Sequence, residues 1–183
     1  MVPIQSLWKM VLASLMAALT AVGAYIYVPI GPVPIVLTTL FVLLAGLLLG
    51  SRWGVASILL YLLVGAMGFP VFAGGRGGIA HFLGPTGGYL LGYAFASLIT
   101  GFISEHARGL FVLEILAAVL GTLVIYAFGV PWLKVVGQIP WSKAWMVGAL
   151  PFLPGDAIKG AVALGLARSV RPILTRHQQV LSS

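Results

Sequence analysis

Long apolar runs, interrupted only by glycine, proline and an occasional charge, fill this sequence and decide the solvent it folds in. Six such runs lie at about Leu7–Val28, Ile35–Gly50, Trp53–Phe69, Thr86–Ser104, Leu110–Val130 and Leu153–Val170. A helix crossing the hydrocarbon of a bilayer needs about 20 apolar residues, and tilt or local thinning accommodates the shorter runs. Ten Lys and Arg with three Asp and Glu make only 7% of the 183 residues charged. A water-facing surface normally needs about 25%, and the mean hydropathy of +1.12 agrees. A soluble enzyme, a nucleic-acid binder and a disordered tail are thereby excluded. The expected fold class is an all-α integral membrane protein, one compact domain over residues 1–183 with six transmembrane helices.

The net charge of +7 then reads as topology, because Lys and Arg gather in cytoplasmic loops. With the N-terminus in the cytoplasm, that side holds Lys9, Arg52, Arg108, Arg168, Arg171 and Arg176, against Arg76, Lys134 and Lys143 outside. An even number of spans returns the C-terminus to the cytoplasm. Lys9 ahead of an apolar run has the look of a signal peptide, but no small-x-small cleavage site precedes Tyr25 and the following sequence is equally apolar. The first run is therefore read as a span. Ser51-Arg52 alone joins the second and third runs, which predicts a tight helical hairpin. Pro29, Pro32 and Pro34 mark the first loop, Pro70–Pro85 is rich in glycine around Arg76, and Pro131–Pro151 is a long connection with Trp132, Trp141 and Trp145 at the interface.

Small residues recur every fourth position as Ala13, Ala17 and Ala21, as Gly46, Gly50 and Gly54, and as Gly84, Gly88, Gly92 and Ala96. Such stripes let helix backbones approach where lipid offers no hydrophobic driving force. The glycine stripes are read as packing within the chain; the alanine stripe serves equally as a docking face for another membrane protein. Ionisable groups inside a membrane are costly and mark function. Asp156 and Lys159 share a face of the last helix, either neutralising one another beside the helix N-terminus or presenting a polar recognition point. Glu114 is expected near the interface and Arg108, His81 in a capping or packing role, and His106 and His177 in water.

Catalytic patterns are missing. No His-Glu-x-x-His, paired aspartate, nucleophile elbow or P-loop occurs, and there is no cysteine. Any uphill transport must draw on a partner or a gradient. The most distinctive segment is Gly84-Pro-Thr-Gly-Gly-Tyr-Leu-Leu-Gly-Tyr93, where Gly87-Gly88 permits close backbone approach and Tyr89 and Tyr93 stand one turn apart. It reads either as a ligand-sized gap at a helix entrance or as close helix packing.

That segment resembles the signature of the BioY family, the biotin-capturing S components of energy-coupling-factor (ECF) importers. The similarity extends through Gly31-Pro-Val-Pro34, Leu44–Gly50, Tyr61 to Gly65, Gly68–Gly75, Gly77-Gly78, Gly129-Val-Pro-Trp-Leu133 and Pro151–Lys159. One departure is Val36-Leu-Thr-Thr39, where the family pattern has Thr and Gln, so Thr38 or Thr39 would supply that polar contact. The resemblance implies a six-helix bundle in the prokaryotic cytoplasmic membrane, a cavity near the outer face under the first and third loops, biotin as ligand and no cofactor. It also implies a transmembrane coupling (T) subunit and a pair of ATPases as partners, with Ala13, Ala17 and Ala21 docking the former. Within the site, Asp156 would accept from the ureido N–H groups, and Lys159 would donate to the ureido oxygen or the tail. Tyr89, Val33, Phe72 and Phe82 would wall the rings at the Gly88 gap, and Arg76 is the alternative partner of the carboxylate. A stand-alone biotin carrier and a non-transporting membrane scaffold are the competing expectations.

Overall fold

The computed structural model describes residues 4–107 and 109–180, with the side chains of 4, 5 and 175–180 outside the description. Its helices are α1 (Ile4–Tyr25), α2 (Thr38–Ala66), α3 (Ala80–Leu83), α4 (Gly87–His106), α5 (Phe111–Gly137), α6 (Trp141–Gly148) and α7 (Leu153–Val180). Two short strands, β1 (Tyr27–Val28) and β2 (Ile35–Val36), pair antiparallel between α1 and α2. α1, α2, α4 and α5 are long and apolar enough to cross a membrane, and the pair α6–α7, bent by 45°, qualifies as one further span.

α2 is two limbs, because Gly50 adopts φ +77° and ψ −174° inside it. A Cβ on Gly54 would stand 2.9 Å from the carbonyl oxygen of Ala45, nine residues back. Nine residues of straight helix span about 13.5 Å, so the chain reverses at Gly50 as the Ser51-Arg52 junction predicts. Glu105, from the end of α4, fixes the reversal by accepting from the Ser51 N–H at 2.9 Å and the Ser51 hydroxyl. A carboxylate there also meets the positive end of the second limb. The limbs 38–49 and 51–66 are about 18 and 24 Å long, so six helical limbs cross the bundle, two of them short.

α4 is sandwiched between α2 and α5. A Cβ on Gly46 would stand 2.7 Å from the Ser97 carbonyl oxygen, one on Gly92 3.1 Å from the Ile125 Cα, and one on Gly88 2.2 Å from the Trp132 Cβ. The glycine stripes are therefore spent on packing inside the chain.

Four expectations are corrected here. The first run ends as helix at Tyr25 and the second begins at Thr38, because residues 26–37 fold back as the strand pair, with the Leu37 N–H bonded to the Gly23 and Ile26 carbonyls. The connection 131–151 is largely helical: α5 continues through Pro131 to Gly137, and α6 follows. A proline costs one hydrogen bond to the preceding turn, which membrane helices tolerate. Glu114 is paired with Arg168 and Arg171 of α7, whereas Arg108 lies outside the described residues. Finally, Ala13 and Ala17 are buried and Ala21 is half-buried. α1 packs chiefly on α2, and small side chains on that face allow the close approach. Its outward face carries Val11, Ser14, Leu15, Ala18 and Val22 instead.

Candidate ligand cavity

One end of the bundle holds a cavity of about 300 Å³, at the lower edge of the range usual for small-molecule sites. Its roof is built by the two loops. The first contributes Tyr27, Pro32 and Val33 beside the strand pair, and the Tyr25 hydroxyl donates to the Pro70 carbonyl, tying α1 to the second loop. In that second loop the Phe72 N–H bonds the Arg76 carbonyl at 2.8 Å and the Gly75 N–H bonds the Phe72 carbonyl at 3.0 Å. Gly74 and Gly75 turn at φ +73° and +70°, a conformation that disfavours any Cβ. The tight turn drives Phe72 inward until it is fully buried. A Cβ on Gly65 would stand 2.1 Å from the tip of the Phe72 ring, so only glycine leaves room for it.

Phe72 organises this wall. His81 stacks on it at 5.1 Å, and Tyr61 and Phe82 meet it edge-on at 5.5 and 5.6 Å. His81 Nε2 also lies 3.2 Å from the Thr86 hydroxyl; of the two roles expected, packing is the one seen, since neither α3 nor α4 receives a side-chain cap. Burial first, then the neighbouring Arg76 guanidinium, holds the His81 imidazole below its usual pKa.

The floor is aromatic and charged. Tyr89 donates from its hydroxyl to the Gly148 carbonyl at 2.7 Å, and its ring lies where a Cβ on Gly129 would be 2.3 Å away. That fit places the Tyr89 ring against the cavity while its polar end is spent on α6. Asp156 occupies the first turn of α7, where the helix N-terminus favours an anion. One of its oxygens accepts from Lys159 Nζ at 2.8 Å, and the other accepts from the Tyr126 hydroxyl. Asp156 is 7% and Lys159 8% exposed. A buried pair of this kind is tolerable only because each charge has its partner.

Of the residues expected at the site, Asp156, Lys159, Tyr89, Arg76, Val33, Phe72 and Thr38 line the cavity. Thr39 lines it too, beside Thr38, where the sequence departs from the family pattern. Gly88 and Phe82 are not among the lining residues. Gly88 faces Trp132 and Phe128 of α5, and Phe82 stands behind Phe72 as its edge-on support. Tyr126, Tyr93, Tyr61 and Phe152 line the cavity as well and were not proposed as ligand contacts. Tyr93 was visible one turn after Tyr89. Tyr126 and Phe152 carry no local signal, being aromatic residues in or beside apolar runs.

Comparison with known proteins shows the family and the fold. The BioY family model matches residues 1–176. The chain belongs to the BioY family. It is 47% identical over 160 residues, covering 87% of this chain and 94% of the other, to the "Probable biotin transporter BioY" of Pyrococcus horikoshii. It is 42% identical over 172 residues to the "Biotin transporter BioY" of Rhizobium etli, covering 88% and 91%. A crystal structure described as the S-component for biotin from an ECF-type ABC transporter superposes with a TM-score of 0.86 at 30% identity, over 94% of this chain and 95% of that one. This BioY chain thus has the S-component fold and is a multi-pass membrane transporter protein, not an enzyme.

Proposed function

We propose that this chain captures biotin in the cavity and serves as the S component of an ECF-type importer, handing the vitamin to a T subunit driven by two ATPases. The observation that carries the reading is a buried Asp156–Lys159 pair opening onto a cavity with aromatic walls and an arginine in its roof loop. Biotin presents an uncharged ureido ring with two N–H groups and a carbonyl, an apolar thioether ring and an anionic valerate tail. Asp156 accepts from the ureido N–H groups and Lys159 donates to its oxygen. Phe72, Tyr89 and Val33 enclose the rings, Thr38 adds a polar contact, and Arg76 meets the carboxylate.

The orientation has the cavity on the outer side of a prokaryotic cytoplasmic membrane and both termini in the cytoplasm. In its support, Arg52, Arg168 and Arg171 lie at the end away from the cavity, beside the Gly50 reversal and the Glu114 cluster. Titration of the purified full chain with biotin by calorimetry, without ATP, should give one site per chain. No heat of binding to well-folded protein overturns the reading. Uptake that needs co-expressed T subunit and ATPases is expected; biotin accumulation by this chain alone would replace the ATPase-driven reading with a self-sufficient carrier.

A further inference from the structure

Among the described residues four buried tyrosines line the cavity, and three of them spend their hydroxyls within the chain. Tyr89 donates to the Gly148 carbonyl, Tyr126 donates to Asp156, and Tyr93 is hydrogen-bonded to Thr39. Tyr61 is the exception. It is 3% exposed, and no group among the described residues bonds its hydroxyl. The oxygen is not sealed inside protein either, so it opens on the cavity that the side chain lines. Buried polar groups are satisfied as a rule, and here the cavity is where a partner must come from.

The place of Tyr61 on α2 decides which end of a ligand it meets. A Cβ on Gly54 would stand 2.9 Å from the Ala45 carbonyl oxygen, which sets the register of the two limbs. Seven residues further from the reversal on each limb, at equal rise per residue, Tyr61 stands level with Thr38, another lining residue. Phe72 meets Tyr61 edge-on and lies over Gly65, one turn further along α2. The Phe72 N–H in turn bonds the Arg76 carbonyl at 2.8 Å. Tyr61 and Arg76 therefore belong to one wall, built by α2 and the roof loop and joined through Phe72, whereas Asp156 and Lys159 stand on α7.

We infer that Tyr61 is a specificity-determining residue whose hydroxyl donates to the ligand carboxylate on the Arg76 side of the cavity. A ligand whose ring end occupies the α7 pair turns its other polar end to the opposite partner, the wall of α2 and the roof loop. A tyrosine hydroxyl has one proton to give and a carboxylate only accepts, and a bond to a charged acceptor is stronger than one between neutral groups. This rests on the biotin-capture reading above and adds a residue to it.

The test is a titration of the full chain in detergent with biotin and with an analogue whose tail ends in a methyl group in place of the carboxyl. Tyr61→Phe keeps the ring against Phe72 and removes only the hydroxyl. It should weaken biotin by about tenfold or more, the scale of a hydrogen bond to a charged group, and leave the affinity for the methyl-ended analogue within about twofold. The loss on substitution and the loss on removing the carboxyl then fail to add, the signature of a direct contact. Equal weakening of both ligands in Tyr61→Phe would overturn the inference and reduce Tyr61 to packing for Phe72; so would an unchanged affinity for biotin. A wild-type protein that binds the methyl-ended analogue as tightly as biotin would overturn it too, a result independent of whether the variant folds. A wild-type chain that binds no biotin at all defeats the capture reading itself, which separates the two failures.

Discussion

α7 carries two acid–base clusters, one in its first turn and one past its middle, and the two have opposite character. Near its start, Asp156 and Lys159 form a pair with Tyr126 at the wall of a cavity. About 22 Å further along, at the spacing of fifteen helical residues, Arg168 and Arg171 close on Glu114 of α5. Arg171 goes on to donate to the Leu47 carbonyl at 2.8 Å and the Ser104 hydroxyl at 3.0 Å, and Arg168 to the Gly109 carbonyl at 3.2 Å. That second cluster therefore clasps α2, α4, α5 and α7 together, and its carboxylate is 2% exposed. Both clusters are buried charge in a membrane protein. What separates the proposed recognition pair from the architectural cluster is where the remaining polar groups lie: on a cavity for Asp156 and Lys159, against neighbouring backbone and the Ser104 hydroxyl for the arginines.

The sharpest way to break this contrast is to neutralise each acid in turn. Asp156→Asn keeps the shape but strands Lys159 without its counter-charge. Removing one partner of a buried pair costs about 3–5 kcal/mol, and ten-fold in affinity is about 1.4 kcal/mol. Biotin binding should therefore fall by at least about a hundredfold, measured by calorimetry. An Asp156→Asn protein that binds within tenfold of wild type removes this carboxylate from the site. Glu114→Gln should do the reverse. Its arginine partners have side chains 43% and 33% exposed, so the cost lies between that of surface and buried pairs, about 2 kcal/mol. At roughly 2–4 °C per kcal/mol for a chain of this size, Tm in detergent should drop by about 4–8 °C, with biotin affinity within about twofold. Loss of binding without loss of Tm would show that the architectural cluster acts on the ligand after all.

The same contrast explains what could be read from the chain before folding. The Gly50 reversal and the i, i+3 spacing of Asp156 and Lys159 are local facts, and the structure carries both, whereas the apolar runs mark the helices without giving their ends. The partner of Glu114 sits 54 to 57 residues away, and that of Asp156 on α5 is 30 residues away. No local pattern encodes such distances, so proximity in sequence suggested Arg108 for one and nothing for the other. The alanine stripe shows a different limit. Four-residue spacing says that a helix face is smooth, but not which neighbour lies against it, and here α2 takes that place for Ala13 and Ala17. Glu105 carries no signal in the sequence because its task, holding the Ser51 N–H, exists only once the hairpin has formed.

Within the cavity end, Arg76 and Lys159 differ as the two clusters do. Lys159 is buried and paired, whereas Arg76 is exposed on its glycine loop. An exposed ion pair contributes about 1 kcal/mol or less and weakens with salt. Arg76→Gln should lower biotin affinity by only about three- to tenfold, and the difference should shrink in high salt. Biotin methyl ester, lacking the charge, should bind wild type and Arg76→Gln alike. If the ester instead separates Lys159→Gln from wild type less than biotin does, the carboxylate belongs to Lys159 and the roof arginine has another task.

The smallest expected effect tests the packing between roof loop and cavity wall. His81 stacks on Phe72, bonds Thr86 and sits near Arg76. Burial and that guanidinium hold its pKa below the free value, so the neutral ring is the form the folded loop prefers. The sign follows directly: the neutral-ring contribution is complete above the free imidazole value of about 6.5 and is lost as pH falls below it, because the unfolded chain binds the extra proton. The ring is only half-buried, which keeps the effect small. Tm in detergent should decline slightly between pH 7.5 and 5.5, and His81→Gln should flatten that decline without the hundredfold loss of biotin affinity expected of Asp156→Asn. A variant with the same slope as wild type would place the acid sensitivity elsewhere and leave His81 as packing for Phe72 alone.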